Sequence, residues 1–240
     1  MSIPSKTPIY DLIDIYCDGP KLDEIATSDR NIVKGYTFNP SLFKSLGVID
    51  YLQHCKKVVN HCNSLPVSLE VIADLKEEMI RQARLLRSLG ENVYIKIPIT
   101  YTNSKSTLAV IEALVEEKTK LNITAVFTVD QVRDIISALK DANAIISVFG
   151  GRIYDIGCDA VKITNDIAKI VHGESNSSVL WASPRMVYDI KNAIKANCDI
   201  ITMRPELIKK LELFNKTPED FSLETVKMFY NDAISSSYTL

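Results

Sequence analysis

The feature that most constrains this chain is a regular alternation of short β-branched runs with amphipathic helical stretches, repeated eight times in 240 residues. The apolar runs are IDIYCD (13–18), VKGYTFN (33–39), PVSLEVIA (66–73), VYIKIPIT (93–100), LNITAVFT (121–128), AIISVFG (144–150), SVLWASP (178–184) and CDIITM (198–203). Turn residues or polar clusters bound most of them, as expected of strands. Between the runs, Leu75, Met79, Ala83 and Leu86 fall at helical spacing, with Gly90 where a C-cap glycine would sit. Val132, Ile135, Ile136 and Leu139 repeat the pattern, as do Val187, Ile190 and Ile194. TPED (217–220) reads as a capping box with proline at the first helical position, launching a C-terminal helix over about 217–234. Eight strand–helix units in this length predict an α/β protein, a (β/α)8 TIM barrel occupying residues 1–240 as one domain. A doubly wound open sheet is the alternative, but its glycine-rich phosphate loop after the first strand is replaced here by CDGPK.

Composition narrows the function classes. Hydrophobic residues make up 46% and charged ones 24%, with a formal net charge of −2. That balance points neither to nucleic acid nor to an anionic membrane. No apolar run approaches the roughly 18 residues of a membrane span. The opening MSIPSKTPIYDLIDIY lacks the basic and apolar regions of a secretory signal. Five scattered cysteines, an odd number, suggest reduced thiols and a cytoplasmic location. The pairs His54-Cys55 and His61-Cys62 are seven residues apart, a rise of about 10.5 Å on a helix. That is too far for both pairs to ligate one zinc ion, so they read as thiols of a surface helix.

Lys96 stands in the middle of VYIKIPIT among Tyr94, Ile95, Ile97 and Ile99. An ammonium there must snorkel, pair with a carboxylate, or shed its proton. Side chains alternate along a strand, so parity sorts the two faces. Ile95, Ile97 and Ile99 form one face, suited to the helix layer, which turns Lys96 into the barrel. The same test turns Ser68 and Glu70 inward, with Val67, Leu69 and Val71 outward. It places Asn122 and Thr124 inward, with Ile123, Ala125 and Phe127 outward. Asp18 closes the first strand, and Asn39 closes the second beside Thr37. Ser147 shares a face with Phe149, while Trp181, Ser183 and Arg185 share one on the seventh strand and its exit, where Arg185 begins a helix. Gly150-Gly151 reads as a phosphate cradle or a plain strand-end turn. Polar groups from seven strands thus converge on one interior, mostly near the end where TIM barrels carry their chemistry.

The same residues carry a family resemblance. TFNPSLF (37–43), SLEVIAD (68–74), YIKIPIT (94–100), LNITAVFT (121–128), SVFGGRI (147–153) and WASPR (181–185) resemble, in family order, segments of the transaldolase family. That family includes the fructose-6-phosphate aldolases. The resemblance implies a barrel acting on sugar phosphates without metal or organic cofactor. By position, Lys96 would form an imine with the ketose carbonyl, and Asp18 would be the acid/base at C4. Glu70 and Thr124 would hold a water that relays protons. Asn39, Thr37, Asn122, Ser147 and Phe149 would line the three-carbon unit, and Arg152, Ser183 and Arg185 would bind phosphate. Pro184, Val148 and Phe38 replace the family's usual phenylalanine, proline and threonine, changes that bear on the acceptor pocket. Glu70 favours the transferase over an aldolase that releases free dihydroxyacetone, because the aldolases carry glutamine there. A barrel that binds sugar phosphates without turnover has no use for a buried amine with proton relays. The number of subunits stays open, a homo-oligomer included.

Overall fold

The computed structural model of the chain describes residues 9–236 and Tyr238. Two compact units are present, one running to Ile208 and one starting at Lys209. The opening residues 1–8, read above as part of a segment without a secretory signal, lie outside the described residues.

The first unit is a closed barrel of eight parallel strands in sequence order: β1 (Asp14–Asp18), β2 (Val33–Thr37), β3 (Val67–Glu70), β4 (Val93–Pro98), β5 (Leu121–Val126), β6 (Ile145–Val148), β7 (Ser178–Trp181) and β8 (Ile200–Met203). Around it lie α1 (Leu22–Thr27), α2 (Pro40–Ser45), α3 (Tyr51–His61), α4 (Lys76–Arg87), α5 (Leu108–Glu116), α6 (Val129–Ile135), α7 (Gly150–Asp155), α8 (Ala160–Glu174), α9 (Asp189–Lys195) and α10 (Pro205–Lys209). The chain is a TIM barrel, as the alternation predicts. Several strands end sooner than their apolar runs. β3, for instance, stops at Glu70, and the rest of its run leaves the sheet as the loops that frame the barrel mouth.

Two faces of each strand build two cores. Outward residues such as Ile15, Leu69, Ile95, Ile97 and Ile123 are fully buried against the helices. Inside, Tyr16, Ile145, Leu180, Ala182 and Ile200 cluster from β1, β6, β7 and β8, with Tyr94 and Phe149 packed against them. The opposite interior wall, from β3, β4 and β5, is polar and buried: Ser68, Lys96, Asn122 and Thr124.

Four local expectations are corrected. Trp181 does not share the inward face: Leu180 and Ala182 fill the interior, and Trp181 packs on Tyr154 of α7 with ring centroids 5.8 Å apart. Parity fails along β5 as well. Ala125 adopts φ 60° and the β5–β6 register shifts between Ile123 and Val126, so Phe127 leaves the outward row and packs on Phe149 at 5.7 Å. Arg185 does not begin a helix; α9 starts at Asp189, whose carboxylate accepts from the backbone N–H groups of Arg185 and Met186. Cys55 and Cys62 are not surface thiols. With Val58 and Val59 they make the buried stripe of α3, and burial pushes both thiols up to about 12.

Three glycines serve contact rather than rotation. Gly90 is no left-handed cap, since Ser88 caps α4; a Cβ at Gly90 would lie 2.7 Å from the Asn92 side chain. Gly150 and Gly151 open α7, and a Cβ on Gly150 would strike the Trp181 ring at 2.3 Å.

The second unit holds α11 (Pro218–Ser235). Thr217 caps it with proline at the first position; its hydroxyl accepts from Asp220 N and donates to the Asp220 carboxylate at 2.7 Å. The Asp220 side chain therefore closes on the cap hydroxyl, not on the cap backbone as a capping box would. Among the described residues, no helix is long and apolar enough to cross a membrane.

Candidate active site

Strand register assembles the polar groups. Glu70 lies directly opposite Lys96 across β3–β4, and Lys96 opposite Asn122 across β4–β5. Asp18 lies opposite Thr37 across β1–β2. Glu70 touches Lys96 and Thr37 touches Asp18, so the sequence alternation becomes specific contacts.

Lys96 is 5% exposed. Its Nζ lies 3.2 Å from Glu70 Oε2 and donates to the Phe38 carbonyl at 3.2 Å. Pairing, rather than snorkelling, is how this chain accommodates a mid-strand ammonium. Below it, Ser147 Oγ donates to Asn122 Oδ1 at 2.6 Å, and Asn122 Nδ2 donates to Ser68 Oγ at 3.0 Å. That buried chain fixes the amide orientation of Asn122. Thr124 is 2% exposed, and among the described residues its hydroxyl has no hydrogen-bond partner. A buried, unpaired hydroxyl is a site for water or ligand.

On the other side, Thr37 Oγ1 donates to Asp18 Oδ1 at 2.7 Å. Loss of bulk solvent pushes the Asp18 carboxyl up; the Thr37 hydrogen bond opposes this most, followed by Lys96 and Arg204. Asn39 caps α2, with Oδ1 accepting from Leu42 N at 2.9 Å, which leaves its Nδ2 donors for a ligand.

These groups surround a cavity of about 90 Å³, lined by Asp18, Thr37, Asn39, Lys96, Thr124, Ser147, Phe149, Arg152, Ala182, Ser183 and Thr202. It lies at the C-terminal ends of the strands. Arg152 is the cation at its rim, 5.7 Å from the Phe149 ring centroid. Gly151 lets α7 approach the β7 exit so closely that a Cβ there would sit 1.6 Å from the Ser183 carbonyl oxygen. A larger hollow of about 420 Å³ lies at the start of β4, lined by Arg84, Arg87, Lys118 and Lys120. Its arginines are tied to the α5–β5 turn, Arg84 to the Glu117 carboxylate and Arg87 to the Glu117 carbonyl. Its strand residue is Val93, which lies on the outward face with Ile95 and Ile97. The smaller cavity is the one where polar groups converge. Among the described residues, no three His, Cys, Asp or Glu side chains are gathered to hold a metal ion.

A family model described as Transaldolase/Fructose-6-phosphate aldolase matches residues 15–238. The chain belongs to that family. A protein of Ruegeria sp. is 31% identical over 198 residues, 82% of this chain and 87% of that protein. One of Methanococcus vannielii is 33% identical over 194 residues, 80% of this chain and 85% of that protein. Both carry the name "Probable transaldolase". Among solved structures, a mandelate oxidase variant with benzoyl-formic acid has a TM-score of 0.55 at 15% identity, covering 83% of this chain and 69% of that one. That likeness concerns the barrel alone.

Within this transaldolase/fructose-6-phosphate aldolase barrel, most residues singled out by sequence line the one cavity. Glu70 and Asn122 stand behind that lining, joined to it through Lys96 and Ser147. Arg185 is placed differently: its guanidinium grips the Asp155 carboxylate through two hydrogen bonds and is not among the lining residues. Ala182 and Thr202 are lining residues that sequence reasoning missed, and Thr202 is the polar one. The parity test that found Lys96, applied to CDIITM, would have turned Ile200 and Thr202 inward together.

Proposed function

We propose that the chain is a transaldolase-type transferase that moves a dihydroxyacetone unit between sugar phosphates through an imine on Lys96. The observation that carries this reading is a buried amine at the cavity wall, with Glu70 at 3.2 Å and Asp18 lining the same cavity.

The Lys96 amine attacks the ketose C2 carbonyl; water leaves and an iminium remains. Glu70 and the unpaired Thr124 hydroxyl suit a water that carries protons in this step. Asp18 then takes the C4 hydroxyl proton. The C3–C4 bond breaks, its electrons enter the iminium to give an enamine, and an aldose phosphate departs. Burial, by favouring the protonated form, makes Asp18 a stronger base than an exposed carboxylate. In the reverse sense the enamine attacks the acceptor aldehyde, and Asp18 returns its proton to the new alkoxide. Water then releases the product. Asn39 Nδ2 and Ser147 offer polar contacts to the three-carbon unit. Arg152 and Ser183 at the rim suit a phosphate, with Arg185 joining them when phosphate draws it from Asp155. The iminium itself is the electron sink, so this reading calls for no cofactor.

Borohydride with fructose 6-phosphate should label Lys96 covalently, and Lys96→Met should abolish the label. Labelling at another lysine sinks the mechanism. Product analysis with and without an aldose phosphate acceptor separates transfer from release of free dihydroxyacetone.

A further inference from the structure

β1 is flanked by β2 and β8, and each neighbour contributes an inward threonine next to Asp18. Thr37 comes from β2, opposite Asp18; Thr202 comes from β8, opposite Tyr16. Both are buried, at 2% and 4% exposure. Their hydroxyl oxygens are 2.5 Å apart, and Thr37 Oγ1 is 2.7 Å from Asp18 Oδ1. A hydroxyl has one hydrogen to give and can accept as well. When Asp18 is ionised, Thr37 gives its hydrogen to the carboxylate, so the bond to Thr202 uses the Thr202 hydrogen. When Asp18 takes a proton on Oδ2, its Oδ1 remains an acceptor, so the same order, Thr202 to Thr37 to Asp18, persists with a weaker last bond.

We propose that Thr202 is a positioning residue for proton transfer at Asp18, completing with Thr37 a two-hydroxyl relay, Thr202 to Thr37 to Asp18, that holds Oδ1 and leaves Oδ2 to exchange the C4 proton. The carboxyl is then held in one place in both states, and no heavy atom has to move between C–C cleavage and formation. This rests on the role proposed above for Asp18 as the base at C4. The other charges facing Asp18 are Lys96 from β4 and, beyond β8, Arg204 and Glu206; the Cys17 thiol lies beside it in sequence on β1. Replacing Thr202 by valine acts on the two states unequally. Both states keep the Thr37-to-Asp18 bond, but the ionised one loses more, because the Thr202 hydrogen no longer polarises the hydroxyl that donates to the carboxylate. The acid form of Asp18 then persists to higher pH, and a less firmly held carboxyl takes the C4 proton more slowly.

The test uses the full chain with Thr202→Val and Thr202→Ser. Labelling of Lys96 by dihydroxyacetone and borohydride needs no C–C cleavage, so Thr202→Val should label like the wild type, which also reports an intact barrel. Its kcat should fall about tenfold with KM little changed, and the acid limb of the kcat profile should move to higher pH. Thr202→Ser should restore both. Thr202→Val with unchanged kcat and pH profile overturns the relay. So does a serine variant as impaired as the valine one, because the methyl group and not the hydroxyl would then matter. A wild type that turns sugar over while Lys96 stays unlabelled overturns the imine reading instead, and the pH profiles still judge Thr202.

Discussion

Gly151→Ala tests how the rim of the cavity is held. A Cβ at this position would lie 1.6 Å from the Ser183 carbonyl oxygen and 2.7 Å from its carbon, with Arg185 Cγ at 3.3 Å. The obstacle is backbone, so no rotamer change relieves it; α7 and the β7 exit must separate by well over an ångström. Ser183 has little room to yield, since it already holds φ 59°. Overpacking of this kind costs about 1–3 kcal/mol, a fall of roughly 2–12 °C in Tm for a chain of this size. The displaced elements carry Arg152 and Ser183, and an ångström of misplacement can reduce turnover about a hundredfold. Thermal unfolding and kcat/KM for a ketose phosphate and its unphosphorylated analogue measure both effects, with the phosphorylated substrate suffering more. Gly173→Ala is the control. Among the described residues nothing lies within 4 Å of a Cβ there, and alanine within α8 should be neutral or stabilise by up to about 1 kcal/mol. Wild-type Tm and kcat/KM in Gly151→Ala would refute the close-approach argument.

Arg152→Ala should lower kcat/KM for phosphorylated sugars by roughly ten- to a hundredfold and spare the unphosphorylated analogue; equal losses would make Arg152 structural. Glu70→Gln should keep the fold and raise release of free dihydroxyacetone at the expense of transfer, read by product analysis with acceptor present; an unchanged partition means Glu70 does not set it. Because burial raises the Asp18 carboxyl, a base at this position loses function as pH falls through a value above the ordinary carboxylate range. The acid limb of kcat/KM should therefore lie above that range, and Asp18→Asn should abolish turnover; a limb within the ordinary range contradicts the raised carboxyl.

Much of this arrangement was legible in the sequence because a barrel interior is written with period two. Parity alone brought Lys96, Glu70, Asn122 and Thr124 inward, and the register then turned neighbours into contacts. Reading failed where the backbone leaves that period. The left-handed Ala125 breaks the alternation of β5, so Phe127 leaves the row that parity gives it. β7 ends at Trp181, and extending its parity to Ser183 and Arg185 carried the tryptophan inward in error. Arg185 is decided by a partner thirty residues away, Asp155, which no local pattern announces. The α3 thiols differ for another reason: a test of metal-ligand spacing is silent on burial, and their spacing with Val58 and Val59 is that of a buried helix face.

The facing of Glu70 and Lys96 across β3–β4 bears on how the barrel finds its closure. Were β3 to slip by one residue, Leu69 or Val71 would stand beside the ammonium, and Glu70 would be turned into the helix layer. Two charges would then be buried apart, a defect worth several kcal/mol, on top of reversing every apolar side chain of the strand. The pair thus discriminates against misaligned closures of the sheet while the chain is still sorting its strands. A variant with an apolar residue at both positions would lose that proofreading along with its chemistry.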